Sequence, residues 1–428
     1  MGNSSLRICH LGKFYSPATG GIETHVRILA QAQAALGAEV RVVCVNHLDR
    51  KGRDVTWERF AATETVEEWD GSVKVTRVGR RASLARLDVC PGLPRVLAGL
   101  RPSATDVLHL HVPNPTMLLA LAALQPRTPL VVTYHSDVIK QRLLGMAQRP
   151  FEHLVFRRAA ILISNSPTYP GGSTVLQRYR GKLVVLPMGI PMGAYLRPTL
   201  ATQKHAQRLQ EEHGRPLWLA VGRLVYYKGL HNAIRALALV PGKLLIVGDG
   251  PLESKLRQLA EEVGVGQRIV WCGRVSEEEL IGSYHAATAL WFPSNERSEG
   301  YGFVQVEAMA SGCPVINTAI PHSGVSWVSK HGETGLTVPV NDAIALAGAS
   351  RRLLEEGGLR DHLASAAREQ AMARFDHRLM GDRSLKIYYS TLRRRRSQGI
   401  APARSFLCTD GGGRSHEEDS TKSLESTS

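Results

Sequence analysis

Cysteine is scarce and scattered. The six cysteines stand at 9, 44, 90, 272, 313 and 408 of 428 residues, with no C-x-x-C pair and no histidine at zinc spacing. That pattern excludes a small disulfide scaffold and a structural zinc module, and Cys9, Cys44 and Cys272 in strand-like apolar runs read as buried free thiols of a reducing compartment. Long apolar runs are missing too. The longest, Met117 to Leu124, is far below the roughly 20 residues that span a bilayer. The segment Met1 to Tyr15 lacks the charged start and apolar stretch of a secretory signal, and Leu6 stands where a myristoylation signal wants Ser or Thr. The expected location is therefore cytoplasmic. No D-x-D carboxylate pair follows a strand, so a metal-dependent diphosphate site is not expected. No helix-turn-helix, zinc finger or aromatic RNA-binding signature appears, which argues against nucleic acid as a partner.

What is present is positive charge and a repeating α/β pattern. The net charge of +15 favours phosphate-rich partners. Length and a 43% hydrophobic content fit two domains of roughly 200 residues. Short apolar runs alternate with helical stretches: 6–11, 40–45, 73–78, 107–111, 130–134, 160–165 and 183–186, then 217–221, 243–247, 268–272, 289–292 and 314–317. This is the pattern of two parallel, doubly wound sheets. The polar stretch 193–216 breaks the rhythm. The expected division is a first domain over 1–195, a linker over 196–216, a second domain over 217–374, a helix over 375–392 and a disordered Gly/Ser/Glu-rich tail over 393–428. Ligands of such folds bind at the carboxyl ends of strands, so the cleft between the domains is the expected site.

Four motifs carry chemistry. In Ser298-Glu299-Gly300-Tyr301-Gly302-Phe303-Val304-Gln305-Val306-Glu307, a glycine turn opens a helix. The free amides at its start suit a diphosphate, with one carboxylate in reach of a sugar and the other of ribose hydroxyls. In Gly222-Arg223-Leu224-Val225-Tyr226-Tyr227-Lys228-Gly229, two cations converge after a strand, as a diphosphate leaving group requires. Gly20 and Gly21 open the first helix and are not part of a G-x-G-x-x-G fingerprint, which argues against a dinucleotide enzyme. Thr133-Tyr134-His135-Ser136-Asp137 ends a strand, where His135 can meet a sugar hydroxyl and Asp137 can orient it or face the acceptor. His109 and His111 share one face of a strand, a placement read as packing or substrate lining rather than metal binding.

Glu299 and Glu307, with seven residues between them, resemble the E-x7-E motif of family 4 retaining glycosyltransferases, and the resemblance runs over nearly all of residues 6–392. It implies the GT-B fold, with two Rossmann-like domains facing across a cleft and a C-terminal helix returning toward the first. It implies that Glu299 contacts the donor sugar and Glu307 the ribose. Arg223 and Lys228 then stabilise the diphosphate together with the backbone of Gly300, Tyr301, Gly302 and Phe303, and His135 approaches the donor. Gly248, Arg274 and Val275 line the nucleotide pocket. The donor is a nucleotide diphosphate hexose, GDP- or UDP-linked, and no further cofactor is implied. The acceptor is a glycan or lipid-linked molecule of a bacterial surface polysaccharide such as lipopolysaccharide. A sugar-nucleotide epimerase and a non-catalytic nucleotide- or membrane-binding scaffold are the rival readings. The basic, apolar segment Lys140 to Arg158, with Arg77, Arg80, Arg81 and Arg86 before it, reads either as an ordinary solvated helix or as a dock for an anionic membrane surface. The second reading would make the protein peripheral on the inner face of the membrane.

Overall fold

The computed structural model describes residues 5–18, 20–49, 62–84, 87–137 and 142–396. The first sheet is built from β1 (Arg7–Leu11), β2 (Glu39–Val45), β3 (Val66–Asp70), β4 (Val73–Val78), a detached hairpin of β5 (Ala82–Leu84) and β6 (Leu87–Val89), then β7 (Val107–Val112), β8 (Leu130–Tyr134), β9 (Ile161–Ser164) and β10 (Leu183–Val185). Its strand order is β10-β9-β8-β7-β1-β2-β4-β3. All neighbours are parallel except the edge pair β3 and β4. Every residue of β7 and β8 is buried, which is what a strand covered by helices on both faces demands. The second sheet comprises β11 (Leu217–Val221), β12 (Lys243–Val247), β13 (Ile269–Gly273), β14 (Ala289–Phe292), β15 (Val315–Thr318) and β16 (Gly335–Val338), in the order β13-β12-β11-β14-β15-β16 and parallel throughout. The apolar runs named from the sequence all fall on these strands. β3, the hairpin and β16 were not anticipated, because β3 is polar and largely exposed and the hairpin strands are three residues each.

The stretch read as a linker is itself structured. Its polar residues form the helix Leu200–His213, capped by the Thr199 hydroxyl, which accepts from the Thr202 amide at 3.1 Å. Gln210 of this helix donates to the Ala286 carbonyl at 3.1 Å, at the end of the helix Glu277–Ala286. The polarity that suggested a linker belongs to the exposed side of an amphipathic helix. The chain leaves the first domain near Ile190 and comes back near Asp376. The two crossings bind each other, the Ile190 amide donating to the Phe375 carbonyl at 2.9 Å and the His377 amide to the Ile190 carbonyl at 3.1 Å. The last helix, His377–Arg396, then lies on the first helix, Gly21–Ala35. A Cβ on its Gly381 would sit 3.0 Å from that of Ala32, so glycine permits the close contact. Residues 397–428 of the expected tail lie outside the described residues.

Cys9 and Cys44 are buried and free, and Cys272 is free and half-buried. The second domain's core is anchored by Trp218 and Trp291, stacked with centroids 5.0 Å apart, with the Trp218 indole N–H donating to the Pro241 carbonyl at 2.9 Å. Trp218→Ala removes that packing and should cost about 3–5 kcal/mol, read as a lower urea midpoint. Trp69→Ala, at a side chain 69% exposed, should stay within about 0.5 kcal/mol of the parent. Equal midpoints for the two variants would contradict this description of the core.

Candidate functional site

In each sheet the strand order reverses beside the first strand of its domain, between β1 and β7 and between β11 and β14. Loops diverge at such a switch point and open a crevice. The loops after β11 and β14 hold the two strongest motifs. The loops after β1, β8 and β9 face them.

The glycine turn after β14 leads into the helix Phe303–Ala310, whose N-cap is Gly302 at φ 82°. A Cβ there would lie 2.7 Å from Cζ of Phe292, so both conformation and space require glycine. At Gly300 the constraint is the opposite domain: a Cβ would come within 2.7 Å of the His135 carbonyl oxygen. Tyr301 anchors the turn by donating from its hydroxyl to the Met188 carbonyl at 2.9 Å. Half-buried Phe303 lies beside the first helix, its Cδ2 3.8 Å from where a Cβ on Gly21 would be.

Glu299 and Lys228 come together. The Lys228 ammonium is 2.6 Å from Oε2 of Glu299, which also accepts from the Ser294 hydroxyl at 3.2 Å. Lys228 and Arg223 line one small cavity between the β11 and β14 loops, with Gly222, Phe292, Pro293 and Ser294. Half-buried Glu307 accepts from the Tyr284 hydroxyl at 2.7 Å. Burial raises its carboxyl pKa, while the Tyr284 bond and the charge of Lys228 pull it back. Tyr284 escaped the sequence reading because nothing in its local pattern separates it from a core tyrosine.

Further along the second domain, Gly248 follows β12 and its amide donates to the Gly273 carbonyl at 2.7 Å. Arg274 is exposed and pairs with Asp249 at 2.7 Å, and Val275 is half-buried. Gly248 packs on the backbone of Gly222, beside the Lys228 side chain: a Cβ on Gly248 would lie 2.2 Å from the Gly222 carbonyl oxygen, and one on Gly222 3.1 Å from Cε of Lys228.

On the first domain's side, Gly20 precedes the helix and the Glu23 carboxylate folds back over it, so that a Cβ on Gly20 would strike Glu23 Oε2. Burial raises the Glu23 pKa, and its own backbone bond, Lys13 and Arg223 oppose this. Glu23 thus lies in the field of Arg223 across the cleft, an acidic neighbour the sequence reading passed over within its own motif. Asp137 accepts from the Tyr134 hydroxyl at 2.7 Å and the Ser173 hydroxyl at 2.9 Å, and pairs with Arg297 of the other domain at 3.1 Å. Arg297 also donates to the carbonyls of Gly172 at 2.5 Å and Tyr169 at 3.1 Å, and stacks on the Tyr169 ring at 4.5 Å. Arg297 was not foreseen, since a lone arginine in a polar loop carries no signal.

His135 is buried and its pKa is pushed down to about 3 by that burial. Its ring meets Asn165 Nδ2 at 3.1 Å on one side and His111 at 3.2 Å on the other. What it turns toward the second domain is its main-chain carbonyl. His109 and His111 are buried, as a packing role predicts. Two sets of three, His10, His109, His111 and His25, His111, His135, offer ring nitrogens within 4.8 Å of one another and are where the described residues could hold a metal ion. In both sets nitrogens already face one another in hydrogen bonds, at 3.0 Å between His10 and His111 and 3.2 Å between His111 and His135. An ion would have to displace these bonds.

Of the basic residues noted before β7, Arg77 and Arg80 are corrected. Both are buried, Arg77 pairing with Glu68 at 2.6 Å and Arg80 with Asp88 at 3.3 Å. Arg81, Arg149 and Arg157 are exposed, whereas Arg86 and Lys140 lie outside the described residues. Among the described residues, no helix is long and apolar enough to cross a membrane.

The sequence family described as "Glycosyl transferase 4-like domain" matches residues 20–189, and "Glycosyl transferases group 1" matches residues 201–370. The chain belongs to the family 4 glycosyltransferases. It is similar to the D-rhamnosyltransferase WbpZ of Pseudomonas aeruginosa, 36% identical over 58% of this chain and 64% of that one. It is also similar to O-antigen chain mannosyltransferase C of Escherichia coli, 27% identical over 90% of this chain and 99% of that one. Anabaena HepE, solved in complex with UDP, superposes with a TM-score of 0.69 at 20% identity, covering 90% of this chain and 100% of that one, and so shares the GT-B fold.

In this glycosyltransferase, Arg297→Ala removes the ionic contact that, beside the Tyr301 bond to Met188, ties the β14 loop to the first domain. A hydrogen bond to a charged group is worth about 1.5–3 kcal/mol. The variant should show a larger radius of gyration by X-ray scattering without ligand, with the melting temperature little changed. An unchanged radius would mean that Arg297 does not hold the cleft.

Proposed function

We propose that the chain is a retaining hexosyltransferase that moves a sugar from a UDP- or GDP-linked donor to a glycan or lipid-linked acceptor in bacterial surface polysaccharide assembly. The observation that carries this reading is the meeting of Glu299, Lys228 and Arg223 at the glycine turn that opens the helix Phe303–Ala310. The relatives named as rhamnosyl- and mannosyltransferases, one of them of an O-antigen chain, support the acceptor class, and the UDP complex of HepE supports a nucleotide donor. Residues 217–374 hold the nucleotide sugar and residues 1–195 the acceptor. The exposed basic residues after residue 140 then face an anionic membrane surface, with the protein on its cytoplasmic side.

The chemistry follows from charge. The bond from the anomeric carbon to the diphosphate oxygen breaks, the diphosphate keeps the electron pair, and the sugar becomes cation-like. Lys228, Arg223 and the amides at the start of the helix neutralise the leaving group, work that a divalent metal does elsewhere. The acceptor oxygen forms its bond on the face the diphosphate leaves, and its proton passes to a phosphate oxygen. Glu299 steadies the developing positive charge, Glu307 holds the ribose, and His135 meets the donor from the other domain. Asp137 stands on the acceptor side. Gly248, Arg274 and Val275 border the base.

UDP or GDP should raise the melting temperature, because a ligand that binds the folded state stabilises it, and the shift and transfer activity should both persist in excess EDTA. Loss of activity that Mg²⁺ or Mn²⁺ restores would overturn the role given to the protein cations.

The two carboxylates should part in their effects. Glu307→Ala should weaken binding of the bare nucleoside diphosphate by calorimetry. Glu299→Ala should leave that binding nearly unchanged and lower kcat by roughly 10²–10³, the cost typical of losing one preorganised charge contact. The opposite pattern would exchange their roles, and no effect from either would remove this reading of the cleft.

A further inference from the structure

A continuous line of buried hydrogen bonds leads from the last helix to His135. The Ser384 hydroxyl donates to the Gly381 carbonyl at 2.6 Å and accepts from Gln33 Nε2 at 2.8 Å. The Tyr388 hydroxyl accepts from the same amide at 3.1 Å and lies 2.6 Å from Nδ1 of His109. Gln33 therefore turns its oxygen to His10, whose Nε2 is 2.7 Å away. His10 Nδ1 is 3.0 Å from His111 Nε2, and His111 Nδ1 is 3.2 Å from His135 Nε2. Asn165 closes the line with its Nδ2 at 3.1 Å from His135 Nδ1.

Each imidazole in the line is neutral, since burial lowers the pKa of His10 to about 4, of His135 to about 3 and of His111 well below its usual value. A neutral imidazole has one donor and one acceptor nitrogen. The amide at Gln33 fixes the first, so His10 donates from Nε2 and accepts at Nδ1. His111 then donates from Nε2 and His135 from Nε2, which leaves Nδ1 of His135 to accept from Asn165. Every contact has one donor and one acceptor. Reversing one link alone would set two lone pairs or two protons against each other in a buried place, leaving polar groups unsatisfied.

We propose that Ser384, Tyr388, Gln33, His10 and His111 are positioning residues that hold the His135 ring in its Nε2–H tautomer and in one orientation, and so anchor the residue whose carbonyl faces the cleft. The inference rests on the reading of the cleft as a sugar-transfer site. It gives the returning helix a purpose beyond packing, because that helix supplies the hydroxyls that orient Gln33.

The test uses the full chain labelled with ¹⁵N at histidine. In the parent, His135 should show a protonated Nε2 and an unprotonated Nδ1, unchanged between pH 6 and 8. Gln33→Met keeps the volume and removes the amide. It should produce a mixture of His135 tautomers and lower kcat about 10- to 100-fold, as small misplacements of reacting groups do, with calorimetric binding of UDP or GDP unchanged. Tyr388→Phe, which keeps the ring, should shift both readouts in the same direction, and serves if Gln33→Met fails to fold. An unshifted tautomer or an unchanged kcat in a folded variant overturns the proposal. So does a variant that loses nucleotide binding along with rate, since that marks a general packing effect. The tautomer readout needs no substrate. If no nucleotide sugar is ever turned over, the reading of the cleft falls, and the spectrum still judges the line of bonds.

Discussion

Arg297 ties the two halves of the molecule at the mouth of the cleft. Domains of one chain move relative to each other by default unless their interface is large and apolar, and the crossings at Ile190 and Asp376 are tied to each other by main-chain hydrogen bonds. The clasp stands at the far side, where a guanidinium from the β14 loop reaches Asp137 and the carbonyls of Tyr169 and Gly172. Arg297 lies two residues before Glu299, so the position of the glycine turn depends on the same contact. With the clasp made, the Gly300 backbone rests against the His135 carbonyl, and no side chain fits between them.

Within that frame the site is an arrangement of carboxylates among cations. Lys228 and Glu299 pair directly, and a half-buried cation paired with a buried carboxylate resists separation because either charge alone would be poorly solvated. Under the proposed function, an arriving diphosphate would offer Lys228 a second anion without stripping it of the first. Arg223 is more exposed and has Glu23 in its field from the opposite domain. Glu307 is hydrogen-bonded instead to Tyr284, whose hydroxyl fixes one carboxylate oxygen, and Lys228 acts on it only through its charge. The two glutamates of one short motif thus sit in different environments, one among charges and one against a phenol, which is why they are expected to behave differently.

Much of the fold is legible in the amino-acid sequence. The continuous apolar runs mark their strands because a parallel strand buried on both faces leaves no room for polar residues, as in Val107–Val112. Elements that lack this signature escape such a reading. The edge strand Val66–Asp70 faces solvent and reads as a loop, and the helix Leu200–His213 hides its buried stripe of Thr202, Ala206 and Leu209 in a polar stretch.

At the site, sequence alone determined the glycine turn, the helix it opens and the two cations after β11, since each is a local pattern of residues close along the chain. Tertiary structure decided which of them meet. Lys228 and Glu299 are 71 residues apart, Asp137 and Arg297 are 160 apart, and Gln33 and Tyr388 are 355 apart. Nothing in the spacing of such pairs announces a contact, because it arises only when two sheets and a returning helix are packed together. His135 is the clearest case. Its place at a strand end could be read from the sequence, but which ring nitrogen holds the proton depends on a hydroxyl on the last helix.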